Sequence, residues 1–237
     1  MTTAPVIDPQ DSSILSRIKL AEFPDNQYVK EETTKRQIYL HHTAGNSNPF
    51  NVVEDWSRSD ERVATAFIIG GNPPPGVSGW ADGQIVQCFA SKYWGYHLGI
   101  KSTAVPPNSA TPTELHKMSI GIEICNWGWL NKLPSGKFVN YVGGTMKPEE
   151  VIDLGVPYRG YRFWHNYTDA QIQSTKELLQ YLGTKYNIPL KYKGKEMFDL
   201  DPRAFAGDPG VWTHTSVRKD KSDLYPHPKM IAMLESL

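Results

Sequence analysis

The stretch IYLHHTAG, Ile38 to Gly45, sets two of the chain's seven histidines side by side at the close of an apolar run. With Arg36 and Gln37 before it, the run is rich in β-branched and aromatic residues and stops at the turn-forming TAGNSNPF, the pattern of a strand. Successive residues on a strand face opposite ways, so His41 and His42 cannot both aim at one site. Periodicity alone does not choose between them.

Downstream of this strand the pattern alternates. NVVEDWSRSD carries Val52, Val53 and Trp56 at helical spacing. VATAFIIGG reads as a second, buried strand, and GQIVQCFA as a third after the turn at Asp82-Gly83. SIGIEICNW, Ser119 to Trp127, is a fourth. From Trp129 to Gly160 glycine, proline and mixed polar residues break the pattern, which reads as a structureless surface insertion of the kind that serves as a functional loop. The clearest helix follows: Thr168 and Gln171 form a capping box, Ile172, Leu179 and Leu182 a stripe, and Pro189 the exit. The tail from Asp201 reads as a loop closed by the short helix KMIAMLESL, and residues 1–34 as a polar, proline-interrupted arm. Strands interleaved with helices give an α/β domain, residues 35–237, with a central mixed β-sheet flanked by helices.

Composition narrows the function. The chain has 25 acidic and 25 basic residues among 237, so no overall field attracts nucleic acid or an anionic membrane. Neither a secretory leader nor an apolar span is legible, so the expectation is a protein made in a cytoplasm, without membrane insertion. The two cysteines, Cys88 and Cys125, are too few for a disulfide framework and read as buried thiols.

A hydrolytic zinc site needs about three ligands from His, Asp, Glu or Cys and an open position for water. The chain has no HExxH, so such a site is assembled from distant segments: His41 or His42, then His214, then an acid in HTSVRKDKSD. Glu123 is a lone charge in an apolar strand, costly to bury unless paired or used; the structural alternative is an ion pair with Arg36 or Arg162.

The ordered series IYLHHTAG, VATAFIIGG, DGQIVQ, WGYHLG, SIGIEICNWG, the long helix and THTSVRKDKSD resembles the zinc-dependent N-acetylmuramoyl-L-alanine amidases, over about residues 35–235. That family includes phage lysozyme-like amidases, bacterial muropeptide-recycling amidases and animal peptidoglycan recognition proteins. The resemblance implies Zn2+ held by His41, His214 and Asp223, with His42 the variable neighbour. It implies Glu123 as general base, Lys221 as oxyanion partner and His97, in WGYHLG, near the substrate groove, where it contacts the peptide stem or the sugar or else braces the loop.

Two departures stand out. Thr65 occupies the place where phage relatives carry a tyrosine, and Asp223 is followed by Leu-Tyr-Pro where Pro-Gly is usual, leaving Asp220 as a fallback ligand. The implied activity is cleavage of the amide between N-acetylmuramic acid and L-alanine, by a monomeric phage endolysin made in the host cytoplasm and acting on the wall after release. The alternatives are a cytoplasmic muropeptide-recycling amidase and a non-catalytic peptidoglycan-binding or virion module.

Overall fold

The computed structural model describes residues 12–237. Its centre is a six-stranded sheet in the order β1 (Ile18–Leu20), β4 (Ile85–Gln87), β3 (Phe67–Ile69), β5 (Ser119–Ile124), β2 (Gln37–His42) and β11 (Gly210–Thr213). All pairs are parallel except β3 with β4, giving the expected mixed sheet. Both faces of β2, β3 and β5 are buried, which is why their sequences run apolar without alternation. In β2 and β5 the register sets His41 opposite Glu123.

Helices close the faces. α2 (Pro49–Ser57) starts on an Asn48 cap, and α3 (Pro112–Met118) on a Thr111–Glu114 capping box. α4 (Asp169–Tyr186) carries the Thr168–Gln171 box expected from the sequence and ends on Asn187 in the left-handed conformation. Three short or terminal helices, α1 (Ser12–Leu15), α5 (Pro202–Phe205) and α6 (Pro228–Glu235), complete the set. Cys88 and Cys125 are buried free thiols. No helix among the described residues is long and apolar enough to cross a membrane.

Three segments depart from the sequence reading. Residues 18–20 of the supposed arm form β1, parallel to β4 at the sheet edge; residues 1–11 lie outside the described part. Gly210–Thr213, read as loop, is β11 and pairs with β2. The supposed structureless insertion is folded. Its strands β6 (Trp129–Lys132), β7 (Phe138–Val139), β8 (Thr145–Met146), β9 (Val151–Tyr158) and β10 (Tyr161–His165) make a second, wholly antiparallel sheet in the order β8-β7-β6-β10-β9. The two-residue strands show no period, and β9 is exposed along much of its length, so neither carried an apolar signature.

Candidate metal centre

The site lies at the carboxyl ends of β5, β2 and the segment after β11, where open α/β sheets place their crevices. His42 points away from it. Its Nδ1 meets the Tyr167 hydroxyl at 3.1 Å, its ring lies edge-on to Trp164 and Tyr225, and burial lowers its pKa to about 4. His41 faces the other way, so alternation along the strand separates the pair as it must.

On that other side His41, His214 and Asp223 each offer a ligand atom within 4.8 Å of the others, and all three are buried. Asp223 Oδ2 lies 2.9 Å from His214 Nδ1 and 3.3 Å from His41 Nδ1. The remaining ring nitrogens are already engaged. His214 Nε2 donates to the Leu98 carbonyl at 2.9 Å, which fixes its proton there and leaves Nδ1 a bare lone pair. His41 is fixed through a longer chain. His97 Nε2 meets Ser119 Oγ at 2.9 Å and His41 Nε2 meets His97 Nδ1 at 3.0 Å. In the tautomer in which the Ser119 hydroxyl donates to the His116 carbonyl, His97 donates to Ser119 and His41 Nε2 donates to His97, which leaves His41 Nδ1 also a lone pair, as a metal ligand must be.

Two imidazole lone pairs aimed at one carboxylate oxygen repel it unless a cation stands among them. Charge agrees with that requirement. Burial holds His41 down at about 4, reinforced by His214, so it is neutral at pH 7. Burial alone would raise the Asp223 carboxyl, but its place among His214, His41 and His42 outweighs that and holds it well below the carboxylate range. Two neutral imidazoles and one carboxylate are a donor set that fits zinc, with positive charge to spare.

Glu123 adjoins this group and is 6% exposed. Burial, then repulsion from Asp223, raises its carboxyl well above the usual range, with Lys221 pulling the other way. Oε2 has no hydrogen-bond partner among the described residues. Neither ion pair considered for it is found among the described residues: Arg162 pairs with Asp153, and Glu123 Oε2 is left without a partner. Lys221 is half-buried, and its charge reaches Glu123, His41 and His42. Asp220, the fallback ligand, points elsewhere and pairs with Arg218.

His97, expected near the substrate groove, sits behind His41, 7% exposed and with both ring nitrogens spent. Space for its ring comes from Gly121 on β5: a Cβ there would lie 2.9 Å from His97 Cγ and 2.7 Å from Thr65 Cγ2. Thr65 is fully buried and bonds the Phe67 carbonyl, so it has no free hydroxyl to offer the site. The bracing by Ser119 and the Leu98 carbonyl was not legible in sequence, since serines and backbone carbonyls carry no motif.

The chain matches the family model described as N-acetylmuramoyl-L-alanine amidase over residues 31–228. No curated protein matches it. Among solved structures, PlyL superposes with a TM-score of 0.50 at 12% identity, over 92% of this chain and 96% of that one, a likeness of fold. AmpDH3 from Pseudomonas aeruginosa, in complex with anhydromuramic pentapeptide, gives 0.47 at 18% identity, covering 87% and 62% of the two chains. AmiD from E. coli, in complex with the substrate anhydro-N-acetylmuramic acid-L-Ala-D-gamma-Glu-L-Lys, gives 0.40 at 21% identity, covering 71% and 47%.

Proposed function

The chain belongs to the N-acetylmuramoyl-L-alanine amidase family, and from that premise we propose that it hydrolyses the amide joining the lactyl group of N-acetylmuramic acid to L-alanine, with zinc held by His41, His214 and Asp223. The observation that carries this reading is the convergence of His41 Nδ1, His214 Nδ1 and Asp223 Oδ2, with both Nε2 atoms already spent. Zinc bound there supplies a water of lowered pKa and a Lewis acid for the scissile carbonyl.

The chain's own residues do the rest. Glu123 presents an unpartnered carboxylate oxygen beside the ligands, placed to take a proton from the attacking water and return it to the leaving amine. With Thr65 buried and engaged, that work falls to Glu123 alone. Lys221 donates to the oxyanion as the carbonyl becomes tetrahedral, a contribution of a few kcal/mol in such sites. His97 holds the His41 ring and its tautomer through a hydrogen bond, as outer partners of metal ligands do.

The polymeric wall is the substrate in this reading, as for a phage endolysin; a recycling amidase would act on soluble muropeptides alone. The complete set His41, His214, Asp223, Glu123 and Lys221 argues against a non-catalytic wall-binding module. Incubating the purified protein with sacculi, with and without a chelator, tests all three. New peptides with a free L-alanine amine that vanish with chelator are expected by mass spectrometry. Cleavage of soluble muropeptides, incubated in parallel, but not of sacculi would give the recycling amidase, and binding to the wall with no bond cut in either substrate would sink the hydrolase reading.

A further inference from the structure

The second sheet carries an aromatic corner that the reaction does not use. β7 and β8 are joined by a tight turn in which Asn140 receives Gly144 N on its side chain at 2.7 Å and on Asn140 O the Gly143 N at 3.0 Å. Such turn positions are usually polar. Here they are Tyr141, 50% exposed, and Val142, 62% exposed.

Tyr141 stands edge-on to Trp127 and tilted against Trp129, with ring centroids 6.2 and 6.3 Å away. Trp129 in turn stacks on Tyr161 at 4.2 Å. The corner is tied to the metal centre at two points. The Tyr141 hydroxyl donates to the Ala44 carbonyl at 2.8 Å, on the loop that continues directly from His41 and His42. Trp127 follows the strand that bears Glu123, and Asn126 beside it bonds Thr43 and Gly45 across that same loop.

We propose that Trp127, Trp129, Tyr141 and Val142 form a subsite for the glycan strand flanking the cleaved amide, stacking on the apolar faces of its N-acetylhexosamine rings. This rests on the amidase reading above. A neutral sugar is the occupant because the surface is aromatic and uncharged. The cations of this sheet, Lys132 and Arg162, lie over Phe138 and Phe163 and not over these rings. A stem peptide, which carries carboxylates, would want cations there. The rigid turn and the bonded Tyr141 hydroxyl also mean that little side-chain freedom is lost when a ring docks.

Tyr141→Ala, Tyr141→Phe and the surface variant Val142→Asp are compared with the wild type in sedimentation with purified sacculi. Turnover of sacculi is then set against turnover of a muramoyl-tripeptide carrying one sugar. In Tyr141→Ala and Val142→Asp the ratio of sacculus to fragment turnover falls about tenfold and pelleting weakens, the size expected when one good contact is lost. Tyr141→Phe, which keeps the ring, stays near the wild-type ratio. Equal losses on both substrates, or no loss on either, overturn the subsite. If the wild type cleaves neither substrate, the hydrolase reading fails and pelleting decides alone: weakened binding by the two variants supports the subsite, unchanged binding overturns it.

Discussion

Asp223 Oδ2 faces two imidazole nitrogens at once, and that crowding is informative. A carboxylate facing two bare imidazole nitrogens is unstable without a cation, and the proton positions that make them bare are dictated by a backbone carbonyl on one side and a His97–Ser119 chain on the other. Glu123 differs from these three in having a buried oxygen with nothing bonded to it among the described residues. The roles should therefore separate under mutation. Glu123→Gln keeps the shape and removes the base, so amide cleavage is expected to drop on the order of a thousandfold. Zinc content by elemental analysis should stay near one per chain. A variant that loses its zinc as well would place Glu123 among the ligands.

At the level of elements, the run into β2 is held by a buried lysine. Lys35 donates to the Lys117 carbonyl at 2.8 Å and to the Ser119 carbonyl at 3.2 Å, tying the start of β2 to the end of α3 and the first residue of β5. Burial lowers its amine from 10.5 to about 7, with Glu31 opposing. Between about 7 and 10.5 the unfolded chain then binds more protons than the native one, so stability rises with pH across that window and the cost of the buried charge is greatest below it. Relative to Lys35→Met, the wild type should gain stability in urea from pH 7 to 10, at no more than about 1.4 kcal/mol per pH unit. A flat difference across that range would show that Lys35 stays charged throughout.

For the whole molecule, the buried ligand group links metal to stability. Three polar groups from β2 and from the segment after β11 are drawn together in the core, and an ion that binds them only in the native state stabilises by mass action. Zinc at a hundredfold excess over its Kd should raise the Tm by about 5–10 °C for a chain of this size. The melt of chelated and zinc-loaded protein reads this directly. Identical melts would mean that the three side chains do not bind the ion.

Much was written in the sequence. The alternation rule separated His41 from His42 before either had a position, and the apolar runs of β2 and β5 announced strands buried on both faces. The Thr168–Gln171 box marked the start of α4 to the residue. These signals are local: each depends on neighbours within a turn or a strand. Three things were not local. β11 is four residues long and is a strand only because β2 offers it an edge. The second sheet is built from strands as short as two residues, stable only when paired, so its sequence read as an insertion without structure. His97 read equally as a substrate contact and as a brace, and its place behind His41 follows only once Gly121 and Ser119 are brought beside it. Periodicity and capping fix what a segment prefers by itself; which lone pair faces the ion, and which ring faces solvent, is decided only when segments far apart in sequence take up the same space.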